Sequence, residues 1–340
     1  MPANIHYAPV SGIQHDVLEK NGTLKSPLTI SLEITNVCNQ NCVFCVQSAQ
    51  WKSGSIEGHH LSLEQIEALL NEARSLGVVE FLISGGEPTC HPLFAEIVER
   101  VKAFQFRTSI ITNGVCLSSA ELERLADILD PEQDLFIIGL DAADSANYKK
   151  LRGQNDFALV CNTLRMMQRA HVPFATQTVV VRKNAAALDD VWKIAKLCGS
   201  RAHILVLPHR IKSVCEDIYL SDEEITMFLA RLCKDSQCRS EAGTPLVLPI
   251  NCGKDNSTAT HKVCSSGRTS CAVSAHGEIH ICTYALDCGL SVGNINDISL
   301  SVAWKRIHQF IETAHGTNGL PQGHQCPVKP GLSQHDLSDA

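Results

Sequence analysis

The chain has 340 residues, 44% of them hydrophobic, and a formal net charge of -7 with acidic and basic residues interspersed. That composition supports one large domain plus a smaller one with a real core, and it lacks the basic footprint that nucleic-acid binding requires. The N-terminal MPANIHYAPVSGIQHDV has neither a basic n-region nor an apolar h-region, and no run of eighteen apolar residues occurs, so no membrane span is expected and a cytoplasmic location is.

Residues 1–27 carry Asn-Gly and Ser-Pro breakers without sustained periodicity and read as an extended lead-in. From Leu28 short apolar strands alternate with amphipathic helices, the pattern of parallel βα units. Strand one is Leu28–Thr35, followed by a long polar loop from Val46 to His60. Ser62-Leu63-Glu64-Gln65 is a capping-box signature opening a helix to Leu76. Strand two, Val79–Ile83, runs into Gly85-Gly86-Glu87-Pro88, and a helix covers Pro92–Phe104. Strand three, Thr108–Thr112, ends at Asn113-Gly114, and Ser118 to Glu121 cap the next helix. Strand four, Leu135–Leu140, ends at Asp141; helical stretches near Ser145–Leu151 and Phe157–His171 lead to strand five, Phe174–Val181. The helix Ala186–Cys198 leads to strand six, His203–Leu207, and Ser221 opens a helix to about Lys234.

Six such units predict an α/β fold, a partial (β/α)6 TIM-like barrel whose functional loops lie at the C-terminal strand ends. After Cys238 glycine, proline and small polar residues accumulate, which places the boundary within Gln237–Thr244: a barrel over 28–240, a small domain over 241–320, and a tail over 321–340. Ala272–Tyr284 reads as a β-hairpin around His276-Gly277, followed by Gly293-Asn294 and an amphipathic helix with Trp304.

Chemistry concentrates in Cys38-Asn39-Gln40-Asn41-Cys42-Val43-Phe44-Cys45, directly after strand one. Three thiols in that spacing supply three ligands, whereas structural zinc is closed by four and a [4Fe-4S] cluster has four irons to hold. Either a remote fourth ligand completes the set or one iron is left open for a substrate. With sixteen cysteines and no secretion signal, metal binding fits better than a disulfide framework.

CNQNCVFC, with Gly85-Gly86-Glu87-Pro88 at the end of the next strand, resembles the radical S-adenosylmethionine (SAM) superfamily. The resemblance implies that Cys38, Cys42 and Cys45 bind a [4Fe-4S] cluster and that the amino and carboxylate groups of S-adenosyl-L-methionine chelate its open iron. Reductive cleavage then yields a 5'-deoxyadenosyl radical that abstracts hydrogen from a substrate. Gly85 and Gly86 remove side chains where backbone approaches the ligand; Glu87 is expected to brace the loop and Pro88 to stiffen its exit. By the same resemblance Phe44 packs near the adenine, Asn113 lies at the cofactor pocket, and Asp141 and Arg152 contact ribose and carboxylate. Gly139 stands where the family pattern has serine, which puts one ribose contact in doubt. Glu33 and Gln177 are read as barrel-lining or as buried polar residues satisfied by backbone. Cys90 is a candidate hydrogen-atom donor or, more plainly, a small hydrophobe.

The spacing C-x12-G-x4-C from Cys264 through Gly277 to Cys282, with the hairpin and helix, resembles the SPASM/twitch extension of that superfamily. It implies an auxiliary [4Fe-4S] cluster. The cysteine-rich run of a full SPASM domain is missing, so one such cluster is expected, held by Cys264, Cys282 and Cys326 with Cys271 as the leading fourth ligand and Cys288 as its substitute. Structural zinc in this domain is the alternative. Tyr284 or a hairpin histidine is a candidate proton acceptor; histidines 59, 60, 209, 276 and 280 are otherwise surface or core residues.

The reading is a radical SAM oxidoreductase supplied with electrons by a flavodoxin or ferredoxin, acting on a peptide in natural-product maturation. The short lead-in is expected to leave no room for a leader-peptide-binding module. A dehydrogenase, decarboxylase or C-C bond-forming enzyme acting on a small sugar or nucleoside metabolite is the alternative, and a zinc-stabilised binding protein without catalysis is the alternative of another class.

Overall fold

The computed structural model describes residues 24–45, 57–208, 215–238, 246–248, 266–283, 285 and 290–315. β1 (Thr29–Thr35) shows how the layers arise. Ile30, Leu32 and Ile34 are fully buried on one face, while Ser31, Glu33 and Thr35 alternate onto the other. The apolar face shares one continuous core with Ile66, Leu69, Leu70 and Ala73 of α1 (Leu63–Leu76), in which each buried leucine or isoleucine contributes about 1.5–3 kcal/mol. Ser62 and Gln65 complete the expected capping box in both directions, at 3.2 and 2.9 Å, and Gly77 ends the helix at φ 79°.

The units then follow in order: β2 (Glu80–Gly85), α2 (Phe94–Ala103), β3 (Arg107–Thr112), α3 (Ser119–Ala126) and β4 (Leu135–Gly139). Next come α4 (Ser145–Arg152), α5 (Phe157–Arg169), β5 (Phe174–Val179), α6 (Leu188–Leu197), β6 (His203–Val206) and α7 (Asp222–Cys238). All strands from β1 to β6 pair in parallel with their sequence neighbours. This is the expected partial barrel, with element ends shifted by a residue or two from the sequence reading.

Two features extend it. β7 (Leu246–Leu248) adds a parallel strand beside β6, within a Gly- and Pro-containing stretch that shows no strand periodicity. At the other edge, β8 (Ser270–Val273) pairs in parallel with β1, and β9 (Glu278–His280) and β10 (Gly293–Asn294) continue antiparallel. Among the described residues the sheet has ten strands in the order β10-β9-β8-β1-β2-β3-β4-β5-β6-β7, open between its ends. The hairpin of the C-terminal segment is therefore a continuation of the barrel sheet.

α8 (Leu300–His315) covers that extension. Trp304, 1% exposed, donates its indole N–H to the Leu24 carbonyl at 2.8 Å, tying the lead-in to the C-terminal helix. Glu72 of α1 accepts from the Leu300 backbone N–H at 2.6 Å. Among the described residues no helix is long and apolar enough to cross a membrane.

Candidate functional site

The cysteine segment leaves β1 at its C-terminal end and is fixed on three sides. Thr35 accepts from the Val37 N–H at 3.0 Å, and Asn36 Oδ1 accepts from the His59 N–H at 2.7 Å, so the strand end is tied to the returning loop. Gly86 and Glu87 N–H groups donate to the Thr35 and Val37 carbonyls at 2.7 and 2.8 Å. A Cβ on Gly85 would strike the Thr35 carbonyl, and one on Gly86 the Asn36 and Val37 carbonyls. The glycine pair thus lets two backbones meet at the end of β1. On the third side, Asn41 and Val43 N–H groups donate to the Arg152 and Leu151 carbonyls at 3.0 and 2.9 Å, docking the loop on the end of α4.

Glu87 is the brace between strands. It is 2% exposed and accepts from Thr89 N–H and Oγ1 (3.1 and 2.6 Å), Thr112 Oγ1 (2.5 Å) and Asn113 N–H (2.7 Å). Burial pushes its carboxyl up and those hydrogen bonds pull against it. Pro88 opens the 3-10 turn Pro88–Cys90. Asn113 passes the link on, donating from Nδ2 to Asn39 Oδ1 at 2.6 Å.

Asp141 and Arg152, placed on ligand contacts by resemblance, form a buried ion pair with each other at 2.5 Å. Asp141 Oδ1 also accepts from the Val179 N–H at 2.7 Å. Arg152 donates from Nη1 to Gln40 Oε1 at 3.2 Å, and its Cζ lies 5.7 Å from the Phe44 ring centre. Burial works against the guanidinium charge, but the Asp141 carboxylate and the nearby Cys42 and Tyr148 outweigh it and push the Arg152 pKa up. Gly139 explains how the pair fits: a Cβ there would overlap the Arg152 guanidinium.

The three thiols interact electrostatically with one another. Burial pushes Cys38 up to about 11 and Cys42 up to about 12, with the Gln40 N–H pulling the first down and the Arg152 charge pulling the second down against it. Sulfurs this poorly solvated hold a proton unless a cation compensates, and a coordinated thiol is deprotonated outright. Soft donors, a buried setting and a backbone already fixed fit an iron–sulfur cluster. Among the described residues no three ligand-type groups stand in a ready-made metal cage.

Of the other side chains that the sequence marks for chemistry, Cys90 is half-buried at the end of the 3-10 turn, its thiol pushed up to about 12 by burial and the Glu87 charge. Glu33 is buried and Gln177 half-buried on β5. Tyr284, Cys264, Cys288, Cys326 and His209 lie outside the described residues. Cys271 is buried on β8 in the apolar layer with Ile30, Val273, Ile281 and Trp304, its thiol pushed up to about 12 by that burial, whereas Cys282 stands half-buried outside the layer. The hairpin turn meets the mouth of the barrel: His59 and His276 rings stand 4.7 Å apart, and the His59 Nδ1 to Ala275 carbonyl distance is 2.8 Å.

Sequence reasoning missed Asn39 and Gln40. Gln40 Nε2 donates to Tyr148 Oη and Asp156 Oδ2, both at 3.2 Å, while its Oε1 receives Arg152. Their position between ligand-spaced cysteines was the available signal.

The family model described as the radical SAM superfamily matches residues 32–198. Mycofactocin maturase MftC of Mycobacterium tuberculosis is 27% identical over 296 residues, 85% of this chain and 73% of that protein. The AdoMet-dependent heme synthase of Methanosarcina barkeri is 24% identical over 301 residues, 84% of each. SuiB of Streptococcus suis, solved with S-adenosylmethionine and with precursor peptide SuiA, superposes with TM-scores of 0.70 and 0.71 at 16% and 15% identity, covering 85% and 84% of this chain and 69% and 66% of that one. The chain belongs to the radical SAM superfamily.

Proposed function

We propose that this enzyme modifies a peptide during natural-product maturation, with Cys38, Cys42 and Cys45 holding the [4Fe-4S] cluster and SAM lying against the C-terminal ends of β1 to β5. The observation that carries the reading is the clamp on the cysteine segment, Gly86 and Glu87 on one side and the end of α4 on the other. When bound, the cluster and SAM together supply a 5'-deoxyadenosyl radical. The chain's own task is positioning. Glu87 and Asn113 fix the loop ends, Phe44 offers a face for the adenine, and the Asp141–Arg152 pair keeps a charged guanidinium beside Phe44 and Cys42. Gly139 leaves no hydroxyl for a ribose contact and gives that volume to Arg152.

In the C-terminal segment we assign one auxiliary [4Fe-4S] cluster to Cys264, Cys282 and Cys326. The apolar surroundings of Cys271 favour Cys288 as the fourth ligand. Tyr284, beside Cys282 in sequence, is the proposed proton acceptor, and a flavodoxin or ferredoxin the electron donor. The maturase relative and the SuiB complex with a precursor peptide support a peptide substrate. The heme synthase relative, which matches as much of this chain, supports a small-molecule metabolite as the second reading.

Anaerobic reconstitution should give a brown protein with about eight irons per chain that releases 5'-deoxyadenosine from SAM and dithionite. Cys38→Ala should abolish that release. Wild-type release from the alanine variant would overturn the ligand assignment. Deuterium transfer from labelled peptide, but not from labelled sugars or nucleosides, into 5'-deoxyadenosine separates the two substrate readings.

A further inference from the structure

A cavity of about 290 Å³ opens between the segment that follows β4 and the segment that follows β5, lined by Asn147, Lys150 and Leu151 of α4 and by Lys183. Both lysines are exposed, and among the described residues neither is in an ion pair. Their neighbours are committed elsewhere. Arg182 reaches Glu224 at 3.1 Å, and Arg152 holds Asp141. Asp144, the cap of α4, feels the charge of Lys150 but spends its oxygens on the Asn147 backbone N–H and Nδ2, at 2.9 and 2.7 Å. In a chain of net charge -7 the cavity therefore presents two ammonium groups that no carboxylate contacts among the described residues. Its walls also reach the clamp on the cysteine segment. The Leu151 carbonyl accepts from the Val43 N–H at 2.9 Å, and Asn184, next to Lys183, donates from Nδ2 to the Asp141 carbonyl at 3.1 Å.

We propose that this cavity is an anion subsite for the substrate, in which Lys150 and Lys183 hold the carboxylate of an acidic residue of the peptide and Leu151 meets its methylene groups. The inference deepens the peptide reading and rests on it. Place favours a substrate, because on a barrel of parallel strands the groups that bind substrate come from the segments after the strands. Size favours a single side chain: pockets for drug-sized ligands run to about 300–1,000 Å³, and this one lies at the lower end of that range. Charge favours a carboxylate over a phosphate. Lys150 and Leu151 lie in the last turn of α4, the end at which the peptide dipoles repel negative charge, whereas phosphate is ordinarily taken at a helix N-terminus. A carboxylate meets that repulsion with one charge and a phosphate with about 1.5–2. An acidic residue seated here brings the peptide against the two segments that hold Val43 and Asp141.

Iron-loaded protein titrated anaerobically against a fluorescently labelled peptide of alternating glutamate and glycine, followed by anisotropy, tests this, with the glutamine counterpart as control. The wild type should bind the glutamate peptide saturably and about tenfold tighter than the glutamine one. Lys150→Gln and Lys183→Gln should each weaken the glutamate peptide about threefold and together about tenfold. Lys149→Gln makes the same charge change on the same helix outside the cavity and should leave binding as it is. All three side chains are exposed, so the variants should fold. The proposal is overturned if the wild type binds both peptides equally or neither, if Lys149→Gln weakens binding as much as Lys150→Gln, or if inorganic phosphate displaces the glutamate peptide where acetate at the same concentration does not. Binding needs no turnover. A chain that shows the expected binding but never cleaves SAM would refute the proposed function and leave the subsite standing, whereas deuterium transfer from a peptide, with probe binding unchanged in the lysine variants, would do the reverse.

Discussion

Placing a methyl group at Gly139 tests the electrostatic heart of the site. Gly139 ends β4 without a positive φ, so alanine is compatible with the backbone and would ordinarily stabilise by about 0.4–1 kcal/mol through the unfolded chain. Here its Cβ would overlap the Arg152 guanidinium. Simple overpacking costs about 1–3 kcal/mol. Yet Arg152 has no cheap retreat, because its Nε holds Asp141, whose side chain is fully buried, and its Nη1 holds Gln40. Expelling the guanidinium strands a buried carboxylate, and breaking such a pair costs about 3–5 kcal/mol. The second effect is the larger, so Gly139→Ala should destabilise by about 3 kcal/mol or more, read as a shift of the urea midpoint at unchanged slope. A double-mutant cycle identifies the cause. In an Arg152→Met, Asp141→Asn background the clash no longer ejects a charge, and the same Gly139→Ala change should cost about 1 kcal/mol or less. Equal costs in the two backgrounds would show that Arg152 is not what the glycine accommodates.

His203 should make the fold acid-sensitive. Its Nδ1 lies 2.8 Å from Thr176 Oγ1 and its Nε2 lies 3.2 Å from Thr178 Oγ1, and burial pushes its pKa down to about 4. Because the unfolded imidazole titrates near 6.5, the folded state binds fewer protons below that pH. Stability is full above pH 6.5 and falls as the pH drops toward 4, by about 2 kcal/mol at pH 5. Urea titrations of wild type and His203→Gln at pH 7 and 5 check this; the variant should show a shallower loss, and parallel losses would sink the argument. Glu87→Gln presents an NH2 group to donors that now face a carboxylate, and should lower stability by about 2–4 kcal/mol in thermal melts, with Thr112→Val on top adding less than it does alone. Cys271→Val fills the same apolar space and should leave the iron content unchanged, whereas Cys282→Ala should lower it; loss of iron from the valine variant would return Cys271 to the ligand set.

The barrel was legible because its signals are local. Ser62 and Ser118 announce helices by capping chemistry that needs no tertiary partner, and the β-strand runs are apolar enough to stand out. The cysteine spacing and the Gly-Gly-Glu-Pro turn were legible for the same reason. What stayed hidden depends on pairing across long separations. The three residues of β7 form a strand only because β6 offers an edge, and β8 joins β1 across more than two hundred residues of chain. Register also decides what a cysteine is for. Pairing opposite Ile30 turns Cys271 into the layer beneath α8, and nothing in the local spacing of Cys264, Cys271 and Cys282 reveals which face each one takes. The Asp141–Arg152 pair belongs to the same class: the sequence marks both residues, but whether they meet a ligand or each other depends on the vacancy at Gly139.

The residues between the cysteines show why the loop is built from neutral amides. Cys38 and Cys42 are poorly solvated, and each negative charge nearby raises the cost of ionising them further. An aspartate or glutamate at 39 or 40 would add to that cost; a lysine or arginine at 40 would compete with Arg152 for Asp141. Asparagine and glutamine escape both problems, since each carries donors and an acceptor without net charge. Asn39 uses its donor on Cys116 and its acceptor on Asn113. Gln40 uses its donors on Tyr148 and Asp156 and its acceptor on Arg152. The loop is thereby anchored to the brace on one side and to the ion pair on the other, while the leading charges acting on the two sulfurs, besides the thiols themselves, come from Glu87, Asp141 and Arg152. Placing the sole cation among these on Arg152 makes it the lever on Cys42, and its hold on Asp141 fixes how strongly that lever acts.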